Sequence, residues 1–86
     1  MRVLIVDNDT DFLNNVVPDM ERDFVVDTAE TGSTGSYLSQ VNEYDVLVVS
    51  ADLDHNMCAS TREAQITTPI IVLTDAANQP QRLQFL

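Results

Sequence analysis

Lysine is absent, and four arginines face fourteen acids, for a formal net charge of −10. A surface of that sign repels phosphate backbones, so direct nucleic-acid binding is not expected. A basic protein face or a divalent cation is the more natural counterpart. The acids are scattered rather than gathered in a block and read as a solubilising surface of the kind suited to high salt. Cysteine occurs once, at Cys58, which excludes an internal disulfide and suits a reducing compartment. Only His55 stands near it in sequence, without a catalytic signature, so Cys58 reads as a partly buried thiol. Glycine occurs twice, and no glycine-rich phosphate loop follows the first apolar run, which argues against a stand-alone nucleotide-binding domain. No apolar run approaches the ~18 residues needed to span a bilayer, and the N-terminus lacks the ordered regions of a signal peptide. The expectation is a soluble, cytoplasmic chain without membrane contact.

What is present is one small domain over residues 1–86, with 44% apolar side chains. A chain of this size hides roughly 60–65% of its unfolded surface, so its core must be compact. Arg2 to Val6 (RVLIV) is apolar and β-branched without alternation, the pattern of a strand covered on both faces. Asp7 to Asp11 (DNDTD) supplies turn residues and the N-cap candidates Asp9 and Thr10. Phe12, Leu13, Val16, Val17 and Met20 then recur at helical spacing, with Pro18 bending or ending the last turn. Phe24 to Thr28 reads as a second strand. A weak helix around Ser36 to Val41 follows, with Tyr37, Leu38 and Val41 on one side and Gly35 weakening its start. Asp45 to Val49 is the third strand. Asp52 to Ser60 reads as loop and Thr61 to Ile66 as a short helix. Ile70 to Thr74 (IIVLT) is a fourth strand after Pro69, and Pro80 opens a last helix running through Leu86.

This βαβαβαβα order predicts an α/β fold, an open parallel sheet with helices on both faces. In such sheets the chemistry gathers at the carboxyl ends of the strands. Those ends are Asp7 to Asp9, Ser50 to Asp52, and Thr74 to Asp75. Three strands thus deliver polar side chains to one edge.

RVLIVDND, TAETG, YDVLVVS and PIIVLTDA, in that order, resemble the receiver domain of two-component response regulators. The resemblance runs from Arg2 to about Leu86. It implies a doubly wound, flavodoxin-like sheet, here with four strands and with the fifth strand and its helix missing. It also implies signalling: such domains accept a phosphoryl group from a histidine kinase onto an aspartate, with magnesium assisting, and pass a surface change to a partner. Carried over residue by residue, Asp7 matches the first metal-holding acid, while the second falls on the amide Asn8. Thr74 matches the switch hydroxyl. Ser50 occupies the slot of the acceptor aspartate, and Asp52 matches the position whose backbone carbonyl meets the metal. The family's lysine has no counterpart.

Phosphotransfer from phosphohistidine needs an ionised carboxylate, and a serine hydroxyl is protonated without an adjacent base. Ser50 therefore reads as a lost acceptor. Two carboxylates about 4 Å apart repel by roughly 4 kcal/mol at an effective dielectric of 20, which a divalent cation relieves. With Asn8 and Ser50 replacing acids, Asp7 is nearly alone. No cofactor is expected, and a magnesium site at Asp7, Asn8 and Asp52 would be weak. Asp52 stands two residues past Ser50 and points the same way if the strand extends. The alternative function is therefore a phosphorylatable receiver using Asp52. A triad of Ser50, His55 and Asp54 would make a small hydrolase, but no oxyanion hole is visible. The expectation is a non-enzymatic, phosphorylation-independent module working by protein contact. Its partner, or a second copy, would dock on the Pro80–Leu86 helix, through Leu83, Phe85 and Leu86, and on the exposed edge of the fourth strand.

Overall fold

A computed structural model describes residues 1–74 and 83–85, without the side chains of 54–56 and 83–85. The first strand, β1 (Arg2–Val6), forms from the unalternating apolar run, and Val3 to Val6 are all buried. Helix α1 (Thr10–Met20) starts where Asp9 accepts a hydrogen bond from the Phe12 N–H at 3.0 Å, with Asp11 in the first turn complementing the helix dipole. Pro18 does not end it, and the Glu21 N–H still reaches the Val17 carbonyl at 2.9 Å. Asn14, one turn earlier, is exposed, so water can serve the carbonyl that proline leaves without a donor.

Strand β2 (Val25–Ala29) leads to α2 (Gly32–Val41), which is capped by Thr31 accepting from the Thr34 N–H at 3.1 Å. Of the apolar stripe expected on α2, Leu38 packs against the core but its two companions do not. Tyr37 and Val41 are exposed, and Gly35, Ser36 and Ser39 face inward. The reason is close approach: a Cβ on Gly35 would stand 2.7 and 2.9 Å from the Val6 methyls and 3.0 Å from the Met57 sulfur. The glycine that weakens the helix in isolation lets it lie against β1. The Ser39 hydroxyl, buried there, donates to the Ser36 carbonyl at 2.7 Å.

Strand β3 (Val46–Ser50) runs straight into α3 (Ala51–Glu63). The expected loop at 52–60 is thus helical, and the expected short helix at 61–66 is only the end of a longer one. Leu53, Met57, Cys58 and Thr61 supply its inward face at helical spacing. Thr61 is fully buried and donates to the Cys58 carbonyl at 3.0 Å, so a core position looks polar in sequence.

Strand β4 (Ile70–Leu73) pairs in parallel with β3, and β5 (Leu83–Phe85) pairs antiparallel with β4, Leu73 opposite Leu83 and Ile71 opposite Phe85. The sheet order is β2-β1-β3-β4-β5. Two expectations fall here. Residues 83–85 form a strand rather than part of a helix, and β4 is not an open edge. Pro80 and Leu86 lie outside the described residues.

Two apolar layers sandwich the sheet. Leu4, Val6, Leu47, Val49, Ile70 and Val72 pack with Met57 beneath α2 and α3, while Val3, Ile5 and Val48 pack beneath α1. Among the described residues no helix is long and apolar enough to cross a membrane.

At the sheet edge formed by β2, Arg2, Asp27 and Tyr44 make a charged cluster. Arg2 donates to Asp27 Oδ2 at 2.8 Å from Nη2 and 3.2 Å from Nε, and the Tyr44 hydroxyl donates to the same oxygen at 2.7 Å. The guanidinium carbon lies 5.1 Å from the Tyr44 ring centre. Tyr44 is thus buried with its hydroxyl bonded. The Tyr44 hydroxyl and then Arg2 hold the Asp27 carboxyl below its ordinary value, while burial and then Asp27 raise the Tyr44 phenol. A depressed Asp27 stabilises the fold above about pH 4 and loses that contribution as pH falls through its folded pKa. A raised Tyr44 stabilises below about pH 10 and loses it as pH rises through its own. Melting of Asp27→Asn beside the parent chain checks this. The gap between them should be constant near neutrality and close towards both extremes.

Candidate functional site

The carboxyl ends of β1, β3 and β4 open into one cleft of ≈ 250 Å³, lined by Asp7, Asn8, Asp9, Phe12, Ser50, Ala51, Asp52, Leu73 and Thr74. It lies where the strand order places it, since β1 and β4 flank β3, with Val6 opposite Val49 and Ser50 opposite Leu73.

Asp7 follows β1 and is 8% exposed. Its N–H donates to the Ala29 carbonyl at 2.9 Å, and its Oδ1 accepts from the Asp9 N–H at 2.9 Å. This short turn fixes the carboxylate at the cleft and frees Asp9 to cap α1. Asn8 and Asp9 are exposed at the rim.

Ser50 closes β3, is 8% exposed, and is the residue preceding α3. Its backbone is extended, as a helix N-cap requires, yet its hydroxyl makes no capping bond. Among the described residues Ser50 Oγ is the buried side-chain polar atom without a hydrogen-bond partner. Unsatisfied buried hydroxyls are uncommon and costly.

Asp52 stands in the first turn of α3, exposed, and borders both this cleft and a neighbouring one lined by Gly32, Ser33, Ser36, Leu53 and Ser60. Because the helix begins at Ala51, Asp52 is no longer on the extended strand, and the two-residue equivalence with Ser50 is broken. Thr74 lines the opposite wall after β4. The side chains of Asp54 and His55 lie outside the described residues, so the Ser50–His55–Asp54 grouping does too.

Of the carboxylates on the cleft, Asp7 is buried and already accepts at Oδ1, while Asp9 and Asp52 are exposed, and Asn8 and Ser50 are neutral. Among the described residues no three His, Cys, Asp or Glu side chains stand together as a metal site. Phe12 and Leu73, which sequence reasoning assigned to packing, prove to line the cleft. The cue was position, one turn into a helix and one residue before a strand-end hydroxyl. On the sheet face covered by α1, a further hollow of ≈ 260 Å³ is lined, among the described residues, by apolar side chains, including Ile5, Phe12, Met20, Val48, Ile71 and Leu73.

No family model matches the chain, and no curated protein matches it. Solved structures do. The Francisella response regulator 1452 receiver domain superposes with a TM-score of 0.78 at 24% identity, over 91% of this chain and 68% of that one. The four parallel strands, their order and the flanking helices are those of that structure's class, and the chain has the receiver-domain fold.

Proposed function

We propose that this is an atypical receiver-like signalling domain, cytoplasmic and non-enzymatic, that acts through protein contact and without phosphorylation. One observation carries the reading: the cleft of a receiver fold holds a buried, neutral hydroxyl at Ser50, where phosphoryl acceptance requires a carboxylate. Magnesium-dependent chemistry is not part of the proposal, given the donor set. The covered edge of β4 removes one docking route expected from sequence.

A competing reading uses Asp52 as phosphoacceptor, and its position on the cleft wall, exposed to solvent, favours it. Beryllofluoride with magnesium, a mimic of an acyl phosphate on a carboxylate, separates the two. Amide spectra should show no saturable shifts at Ser50, Asp52 or Thr74. Saturable shifts abolished by Asp52→Asn would favour the competitor.

A further inference from the structure

We propose that the cleft receives the cationic head of a basic side chain, a lysine ammonium or arginine guanidinium, presented by a protein partner. The inference rests on the protein-contact reading and names the chemistry that the partner must bring. Among the described residues three carboxylates, Asp7, Asp9 and Asp52, line the cleft, and no basic residue does. Of the arginines among the described residues, Arg2 is held by Asp27, Arg22 stands 3.8 Å from Asp19, and Arg62 donates to the Ile66 carbonyl at 2.6 Å. None of these reaches the cleft.

The second, independent feature is the Ser50 hydroxyl, more than nine-tenths buried, on the cleft wall and without a partner. It can accept a hydrogen bond that nothing among the described residues supplies. A ligand rich in N–H donors completes it while neutralising Asp7. A bare metal ion suits the site less, because among the described residues no three His, Cys, Asp or Glu side chains stand together to hold one, and it would leave the Ser50 hydroxyl without a donor. Phe12, Ala51 and Leu73 give the cleft a carbon wall against which a methylene stem can lie while its head reaches the acids.

The test uses the full chain and blocked tripeptides with a central arginine, lysine or glutamine, followed by amide spectra. Arginine or lysine peptide should give saturable shifts at Asp7, Asn8 and Ser50, and the glutamine peptide none. Asp7→Asn keeps the acceptor for the Asp9 N–H but not the charge, and should weaken binding about tenfold. Ser50→Ala should weaken it about fivefold and leave melting unchanged or raised. Shifts that are equal for all three peptides, or indifferent to Asp7→Asn, would overturn the proposal. So would saturation by magnesium chloride alone. Spermidine binding far more tightly than either peptide would make a free polyamine the ligand and overturn the protein source. Much tighter peptide binding by Arg82→Ala would mean that the chain fills its own cleft, with the same consequence. These outcomes are independent of the beryllofluoride result, so each reading can fail alone.

Discussion

Replacing Met57 with alanine is expected to lower the melting temperature by roughly 10–30 °C. Met57 is fully buried, and its sulfur lies where α3 meets Gly35 of α2 above Val6. Truncating a buried methionine leaves a cavity and typically costs about 2–5 kcal/mol. A domain of this length has a total stability on the order of 4–13 kcal/mol, so the loss would be a large share of it. Met57→Leu conserves volume and should cost less than about 1.5 kcal/mol. Thermal melts of the three proteins by circular dichroism decide the matter. If alanine and leucine behave alike, α3 does not pack where it is described.

Stability should also rise steeply with salt. Ten acids, from Asp9 to Glu63, are exposed among the described residues, and the net charge is −10. A like-charged pair 10 Å apart in water repels by about 0.4 kcal/mol. The screening length shrinks from about 10 Å at 0.1 M salt to about 3 Å at 1 M, which removes most of that repulsion. The expected gain from 0.05 to 1 M potassium chloride is on the order of 2 kcal/mol, or about 10 °C in melting temperature. The two described ion pairs oppose this little. Asp19–Arg22 is exposed, and Arg2–Asp27 is half-exposed. A melting temperature flat in salt would show that the acids are spaced too widely to matter.

Four strands and the first helix were legible because each rests on a strong local pattern. Unalternating β-branched runs have few interpretations when turn residues bound them, and α1 carries both a cap and a stripe. Helix α3 was not legible. Its inward positions include a threonine and a cysteine, and aspartates and an asparagine between them mimic a loop. The inner face of α2 was misread for a related reason, since small residues pack by closeness rather than by hydrophobicity. Strand β5 has three residues, and a tertiary pairing with β4 decides its state. The convergence of Asp7, Ser50 and Thr74 could be read from strand ends alone. That the Ser50 hydroxyl is buried without a partner could not, because it depends on α3 starting at the next residue.

The central claim is that no group in this cleft accepts a phosphoryl group, and intact-mass analysis after incubation with acetyl phosphate and magnesium tests it most directly. The account predicts an unchanged mass for the parent chain and for Asp52→Asn alike. A gain of one phosphoryl mass, mapped to Asp52 and lost in that variant, would contradict it.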